Sequence, residues 1–440
     1  MDAPQLQSGA LHWIQVVALG VAIAISGNTA GWNYGLAVGG WGGMVAAALA
    51  MLALFFCLTQ VLSELAAAMP GAGGFDAYVA RAFGVTAGYI TGMSVAVALS
   101  VGAGLAASFS DAYISAWLGV GGPVLRLSLV AAVVLLQLRG VREAVGLTVV
   151  VGVASIAILV LFCAFMAPAF RSANLYSHAG SVTSLLPHGW EGSLRCIPFA
   201  LFLFLGVEQA AHAASEMRDM QKSIPKAMGT AILVAFIVGM SVLVIATGSA
   251  GSDQLAGVDD PLLKAITSDP GRAGAGAMER IVAVGALVAI MGTFFSLAYA
   301  GSRQFFHLAS AGLLPGVFRR VNSRQAPAPA IGLVGLIATV SAQFPPNSTM
   351  VVFIFLISVS HFLLLAAFLR LRQRESGLAR PYRALGGQLA GAVAALLSIA
   401  VMISCYELES RALQAAVGLL AVVAVASLAV HNGKRRPAQS

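Results

Sequence analysis

Ser26-Gly27-Asn28-Thr29-Ala30-Gly31 interrupts an otherwise apolar stretch that runs from about residue 12 to residue 38. Glycine, serine, asparagine and threonine favour turns over helix. Broken backbone in the middle of a bilayer is tolerated only where protein or a water-filled cavity covers it. The stretch therefore predicts a broken transmembrane helix beside a ligand site. The alternative is a close helix contact through Gly27 and Gly31, a small-xxx-small pair.

The composition of the whole chain is that of a membrane protein. Hydrophobic residues make up 59% of the 440 residues and charged residues 10%, so a soluble fold would expose much apolar surface. This excludes disordered, collagen-like, disulfide-stapled and nucleic-acid-binding proteins. The net charge of +8 fits basic residues in cytoplasmic loops. The four cysteines lie far apart without the spacing of metal ligands, and we expect no metal site and no cofactor.

Apolar windows predict twelve transmembrane helices, since about 20 residues cross the hydrocarbon core. The windows lie near residues 12–38, 43–67, 85–115, 124–138, 144–167, 194–213, 228–249, 280–300, 329–344, 347–369, 385–405 and 412–431. An even number places both termini on one side. If that side is the cytoplasm, eighteen of the 25 Lys and Arg residues lie on the cytoplasmic side and seven on the other side. The positive-inside rule therefore predicts that both termini are cytoplasmic. We expect a multi-pass protein of the cell inner membrane.

A second polar interruption, Gly206-Val207-Glu208-Gln209, lies in the sixth span. An unpaired carboxylate at this depth costs at least about 2.5–3.5 kcal/mol. The cost falls if the carboxylate takes a proton, pairs with a cation or faces water, so Glu208 is a candidate for proton or ion coupling. The alternative is a structural hydrogen-bond anchor. His212 lies four residues on and could share its helix face, or be a satisfied interfacial histidine.

Polar interruptions in spans one and six occupy corresponding places if the chain is two repeats of five helices. Such a pair indicates the binding site of an inverted-repeat transporter. The predicted division is a cytoplasmic tail at 1–11, repeats at 12–167 and 168–369, helices eleven and twelve at 370–431, and a basic tail at 432–440.

Other polar residues within the spans have a structural interpretation beside or instead of a functional one. Thr293 and Ser296 in span eight could line a cavity and contact an ion, or bond a carbonyl of their own helix. Glu64 and Asp111 lie near span ends and are interpreted as interfacial. His361 in span ten is interpreted as a packing histidine.

Four loop segments, in order along the chain, resemble the amino acid–polyamine–organocation superfamily. They are Pro70–Phe75 with Arg81 and Phe83, Glu216–Lys226, Ser302–Pro315, and Arg380-Pro381-Tyr382-Arg383. Gly31-Trp32-Asn33-Tyr34-Gly35-Leu36, with the glycines at 39–43, is similar to the bacterial ethanolamine permease branch.

The resemblance implies an all-α integral membrane protein of leucine-transporter-like fold, with a 5+5 inverted repeat, two added C-terminal helices, and breaks in helices 1 and 6. The first break would receive the polar end of a substrate and the second would offer carbonyls to its ammonium group. The implied substrate-binding residues are Ser26, Gly27, Asn28, Thr29, Phe202, Gly206 and Glu208. The implied coupling residues are Glu208, His212, Thr293 and Ser296.

The expected function is secondary transport of amino acids or small organic amines by alternating access. Protons are the favoured coupling ion through Glu208, and sodium stays open through Thr293 and Ser296. An ethanolamine-specific permease and an amino acid exchanger are the alternatives within this class. A channel would need a filter motif or charged pore helix, and neither is visible. An enzyme would need more convergent titratable groups than Glu208 and His212.

Overall fold

The computed structural model describes residues 13–69, 74–139, 144–179, 182–208, 220–269 and 271–435. These ranges are helical apart from short turns and one antiparallel pair of strands, β1 (Ser177–Ala179) and β2 (Val182–Ser184). The helices are α1 (Trp13–Ser26), α2 (Tyr34–Ala68), α3 (Phe75–Phe83), α4 (Val85–Leu118), α5 (Pro123–Leu138), α6 (Ala144–Met166), α7 (Gly189–Arg195), α8 (Ile197–Leu201), α9 (Met220–Ala250), α10 (Ser252–Leu255), α11 (Pro261–Thr267), α12 (Ala275–Ser310), α13 (Ala328–Ser341), α14 (Pro346–Arg374), α15 (Gly387–Leu408) and α16 (Ser410–Arg435).

Several helices are long and apolar enough to cross a membrane. Within the described ranges there are seven of them: Tyr34–Ala68, Val85–Leu118, Val150–Ala169, Ser223–Ala250, Ala275–Ser310, Pro346–Arg374 and Gly387–Leu408. Shorter apolar helices span Pro123–Leu138, Ala328–Ser341 and Ser410–Val423. The architecture is that of an all-helical membrane protein, and the twelve spans and the inverted repeat stay predictions.

The outer surface of these helices is apolar. Val124 is 78% exposed, Leu389 71% and Leu336 62%. Water disfavours such a surface, whereas lipid tails solvate it.

The first helix ends inside the stretch that predicts a break. α1 ends at Ser26, residues 27–33 form turns, and α2 begins at Tyr34. At the start of the turns, the Gly27 and Asn28 amides donate hydrogen bonds to the carbonyls three residues earlier in the chain. α2 in turn changes direction at Gly40, whose φ of 69° and ψ of −177° are not helical. The first apolar window therefore holds α1, the turns and the first limb of α2.

The helix around residue 200 is also short. α8 ends at Leu201, and residues 202–206 form turns that lead to Glu208. Gly206 has a φ of 104°, a backbone conformation that glycine adopts without steric cost. Residues 209–219 lie outside the described ranges, and the next described helix is α9.

α4 is the central helix and supports both interruptions. It packs along α12, α13 and α14, and 83% of its most apolar window is buried. Several of its serine hydroxyls bond within the helix, as Ser100 donates to the Ala96 carbonyl and Ser110 to the Ala106 carbonyl. Hydroxyls satisfied in this way need no outside partner, which suits a helix in the middle of a bundle in lipid.

Glu64 lies near the end of α2 and is buried within the protein, among segments that its position in the sequence did not indicate. The residue is 1% exposed. Its carboxylate accepts hydrogen bonds from Nε and Nη2 of the Arg372 guanidinium at 2.9 and 2.6 Å. Arg380 contributes a further contact of 3.2 Å, and the Ala384 amide donates at 2.7 Å. Asp111 is buried in the same way, against Arg126 and the Gly122 amide. These carboxylates tie α2 to the segment after α14, and α4 to the start of α5.

We expect Glu64→Ala to lower the free energy of unfolding by about 3–5 kcal/mol, because it leaves buried cations without their counter-charge. Thermal unfolding of the purified protein in detergent measures this. The matched control is Glu375→Ala. Glu375 forms an ion pair with Arg81 at the surface, where the side chains are 31% and 46% exposed, respectively. Exposed pairs contribute about 0–1 kcal/mol, so equal losses in the two variants would contradict the structural role of Glu64.

Candidate functional site

The two interrupted helices touch through their main chains. A Cβ atom placed on Gly27 would lie 2.2 Å from the carbonyl oxygen of Phe202. One placed on Gly31, whose φ is 101°, would lie 2.7 Å from Met350 Cε and 3.0 Å from Phe202 Cδ1. A side chain at residue 27 would displace the main chain of the second interruption, whereas at residue 31 the positive φ itself favours glycine. The glycine pair that sequence alone assigned either to a break or to a helix contact serves both purposes.

A cavity of about 80 Å³ lies beside this contact. Its walls come from α4 between Leu99 and Phe109, from α12 between Ile290 and Ala300, and from Phe353 and Ile357 of α14. Gly27, Phe202, Gly206 and Glu208 of the two interruptions complete it. The polar side chains in the lining are Glu208, Thr293 and Ser296. An apolar cavity with a few placed polar groups is typical of a small-molecule site.

Glu208 lies between this cavity and α14. Its side chain is 1% exposed, and its Oε2 accepts a hydrogen bond of 2.9 Å from the Gly206 amide. Its Oε1 lies 3.8 Å from Nε2 of His361, which is also 1% exposed. The positive φ of Gly206 bends the chain so that the Glu208 carboxylate folds back onto the Gly206 amide. One carboxylate thus contacts the cavity on one side and an imidazole on the other.

Thr293 and Ser296 differ in what their hydroxyl groups do. Ser296 donates a hydrogen bond of 2.8 Å to the Gly292 carbonyl of its own helix. Thr293 Oγ1 is buried and has no hydrogen-bond partner among the described residues. Both line the cavity. Thr293 is therefore the hydroxyl that can still donate to a ligand or accept from it.

Two phenylalanines flank Phe202 at the cavity wall. Its ring centroid lies 6.4 Å from that of Phe109 and 6.1 Å from that of Phe353, with interplanar angles of 77° and 84°. These are edge-to-face contacts, which are favourable for aromatic pairs. The three rings cover the cavity next to the Gly27 contact.

Other predicted site residues lie away from the cavity. Asn28 is fully buried but faces α9, where a Cβ on Gly239 would lie 2.9 Å from its Oδ1. Neither amide atom of Asn28 has a hydrogen-bond partner in the described part of the chain. Thr29 is 2% exposed, and its carbonyl accepts a hydrogen bond of 2.6 Å from the Tyr113 hydroxyl. The side chain of Ser26 and the whole of His212 lie outside the described residues.

A contact that the sequence did not predict joins the end of the first interruption to the loop before α11. Asn33 Nδ2 donates to the carbonyls of Leu255 and Val258 at 2.8 and 2.6 Å. The Tyr34 hydroxyl donates to Asp259. We call these five residues the loop clasp. The sequence shows Asn33 and Tyr34 in the first span, but nothing local connects them to a loop more than 220 residues away.

The comparisons with known proteins agree with this architecture. A model of the family described as "Amino acid permease" matches residues 11–427. The chain is 26% identical to an uncharacterised transporter of Rhizobium meliloti over 77% of this chain and 73% of that protein. It is 24% identical to a branched-chain amino acid permease of Bacillus subtilis over 59% of this chain and 54% of the relative. It is 26% identical to a probable GABA permease of Pseudomonas aeruginosa over 96% and 89% of the two chains.

We expect Gly27→Ala to lower the free energy of unfolding by about 1–3 kcal/mol, because the added methyl group overpacks the contact with Phe202. The matched control is Gly332→Ala on α13, where an added Cβ meets nothing within 4 Å. Alanine there should stabilise the helix by about 0.4–1 kcal/mol. Thermal unfolding measures both variants, and a Gly27→Ala protein as stable as Gly332→Ala would contradict the main-chain contact.

A pH effect is expected from Asp260 in the loop before α11. Burial, with a contribution from the charge of Asp259, raises the pKa of the Asp260 carboxyl from 3.8 to about 6. The folded state therefore binds this proton more tightly than the unfolded state, and stability falls as pH rises from about 4 to about 6. Asp260→Asn should remove that part of the decline, and Asp269→Asn, an exposed aspartate nearby, should not. Melting temperatures measured across this pH range test it, and a decline that survives in Asp260→Asn would contradict the assignment.

Proposed function

The chain belongs to the amino acid permease family, and we propose that it carries amino acids or small organic amines across the cytoplasmic membrane by alternating access. Its relatives are transporters and not enzymes. The observation that carries the proposal is the meeting of two interrupted helices at a cavity that contains one carboxylate, Glu208.

The chemistry of the cavity supports an amine as substrate. An ammonium group requires hydrogen-bond acceptors, a negative charge or an aromatic face. Glu208 supplies the charge, Thr293 the hydroxyl oxygen and Phe202 an aromatic ring, all in the cavity lining. The apolar walls of α4 and α12 suit an aliphatic or aromatic side chain. A substrate carboxylate would take those amides of the first interruption that do not bond within the turn, since free amides at helix N-termini bind anions.

Hydrogen bonds beyond the cavity support alternating access. The cavity lies along the middle of α4, between Leu99 and Phe109, and of α12, between Ile290 and Ala300. The loop clasp and the Tyr113–Thr29 hydrogen bond hold the residues that follow Asn28 in the first interruption. Transport then requires the clasp to release while the other end closes. The interruptions at 27–33 and 202–206 provide backbone that can change direction without breaking a continuous helix.

Proton coupling through Glu208 is the preferred mode. A buried carboxylate changes its interactions strongly with protonation, because its charge is costly in an apolar environment. His212, the second predicted coupling residue, keeps that role only as a proposal. A sodium ion contacting Thr293 and Ser296 is the other mode, and it predicts uptake that depends on sodium at constant pH.

The relatives do not decide which amine is the substrate. Of the three relatives compared above, one is named for branched-chain amino acids and one for GABA, and the name of the uncharacterised transporter gives no substrate. We propose amino acids as the main class, with an ethanolamine-specific permease or an amino acid exchanger as alternatives. Binding of ethanolamine without amino acids would show that a substrate carboxylate is dispensable.

A ligand screen followed by transport tests the proposal. A ligand that binds only the folded state raises the melting temperature by mass action. We expect at least one of L-leucine, L-phenylalanine, 4-aminobutyrate and ethanolamine to do so at two pH values. Proteoliposomes should then show saturable uptake that internal substrate accelerates. Uptake that never saturates would indicate a channel, and no stabilisation by any of the four amines would contradict the proposed substrate class.

We expect Glu208→Gln to reduce uptake at least about tenfold and to flatten its pH dependence. Hydrogen bonds to charged groups contribute about 1.5–3 kcal/mol, and glutamine keeps the shape without the charge. The measurement is initial uptake by proteoliposomes with equal amounts of folded protein. Glu279→Gln, away from the cavity on α12, serves as control. Full uptake with an unchanged pH profile in Glu208→Gln would remove Glu208 from the mechanism.

A further inference from the structure

Four exposed arginines lie at the end of the bundle where α5 and α12 end and α13 begins. One follows α5 and three lie in the segment between α12 and α13: Arg139, Arg319, Arg320 and Arg324. We call these four residues the basic corner. Within the described ranges, the arginines that form ion pairs or cover aromatic rings are other ones. The four guanidinium groups are therefore available to a ligand.

One asparagine holds the two parts of the basic corner together. Asn322 Nδ2 donates a hydrogen bond of 2.8 Å to the carbonyl of Leu138, the residue before Arg139. Asn322 Oδ1 accepts from the main-chain amides of Arg324 and Ala326 at 2.9 and 3.0 Å. The same side chain thus shapes the turn and attaches it to the end of α5. The backbone that carries the arginines is fixed before any ligand arrives.

The elements that form the basic corner contain no acidic residue. No Asp or Glu occurs in residues 112–142, which include α5, or in residues 280–374, which include the segment between α12 and α13. The next carboxylate along the chain is that of Glu143, which lies outside the described residues and can balance one of the four charges at most. Like charges gathered without counter-charge favour an anionic partner.

Apolar side chains are exposed beside these charges. Val317 and Val321 are each 43% exposed, and they flank Arg319 and Arg320 in the sequence. Leu136 is exposed in the last turn of α5, next to the other end of the basic corner. Apolar and basic side chains presented together at the ends of apolar helices are typical of a segment at the boundary between acyl chains and headgroups. The surroundings of the arginines therefore suit a lipid better than a soluble anion.

We propose that the basic corner binds the phosphate group of an anionic phospholipid in the leaflet where α5 and α12 end. Guanidinium groups bind phosphate oxygens through paired hydrogen bonds, and the exposed valines contact the acyl chains of the same lipid. The positive-inside rule predicts that this leaflet is the cytoplasmic one, whose anionic lipids attract basic segments beside a membrane helix. The arginines lie outside the cavity lining, so lipid binding here requires no transported solute.

Native mass spectrometry of the full-length protein, released from detergent micelles, counts bound lipids. The probes are phosphatidylglycerol and phosphatidylcholine with the same acyl chains. We expect the wild type to bind phosphatidylglycerol at least about tenfold more tightly, because each basic residue near an anionic surface contributes about fivefold in affinity. Arg319→Gln/Arg320→Gln should remove at least about tenfold of the affinity for phosphatidylglycerol and leave that for phosphatidylcholine unchanged.

Two further double variants separate charge from structure. Arg319→Lys/Arg320→Lys keeps both charges and should retain most of the preference for phosphatidylglycerol. Arg171→Gln/Arg280→Gln removes two exposed arginines near the opposite ends of α6 and α12 and should bind phosphatidylglycerol as the wild type does. Melting temperatures without added lipid show whether each variant is folded. Should the Arg319→Gln/Arg320→Gln protein not fold, Arg139→Gln/Arg324→Gln removes the other half of the basic corner and is expected to lose the same preference.

Three results would overturn the proposal. The first is equal binding of the two phospholipids by the wild type. The second is unchanged binding of phosphatidylglycerol by the folded glutamine variants of the basic corner, or an equal loss in Arg171→Gln/Arg280→Gln. The third is binding of glycerol 1-phosphate, a headgroup without acyl chains, as tightly as that of phosphatidylglycerol, which would indicate a soluble phosphate as the ligand.

Discussion

Two interrupted helices can meet inside a membrane only if no side chain separates them, and here Gly27 lies against the carbonyl of Phe202. Lipid offers no hydrogen bonds to exposed backbone, so each interruption must be covered by protein. Each covers the other in part, and α4 and α12 cover the rest. The cavity is lined by Gly27 of the first turn and by Phe202 and Gly206 of the second. The cavity and the position of its carboxylate both lie next to this one contact.

The placement of Glu208 follows from the same geometry. The second turn ends at Gly206, and the left-handed residue directs the following carboxylate between the cavity and α14. A carboxylate so placed borders the cavity on one side and the imidazole of His361 on the other. In the proposed coupling, a proton and the ammonium group of an amine compete for this carboxylate without a large movement of its side chain. The coupling proposed for this protein is therefore local, although the change of access would involve whole helices.

Local sequence patterns predicted the parts of the site that depend on local chemistry. Polar residues and glycines inside apolar stretches indicated both turns, and the isolation of Glu208 in its span indicated a functional group. The partners of these groups come from distant segments, and one sequence does not show them. His361 was interpreted as packing because nothing in span ten indicates that it faces Glu208. Asn28 was expected in the cavity, but the direction of its side chain depends on how the turn is wound.

The same limit applies to buried charges elsewhere. Glu64 has the position of an interfacial residue, and only the packing of the last turn of α14 and the return of the chain after it bring Arg372 and Arg380 to it. Distance from the end of an apolar window therefore says little about burial when later segments fold back over that end. Propensity and hydropathy describe each helix by itself, whereas these ion pairs depend on the arrangement of several.

The loop clasp has an evolutionary consequence. Asn33 bonds to the main-chain carbonyls of Leu255 and Val258 and not to their side chains. Every amino acid carries such a carbonyl, so mutations at these two loop positions leave the acceptors in place as long as the loop keeps its path. The loop can thus diversify, for example to admit different solutes from that side, while its attachment to the first interruption is inherited unchanged.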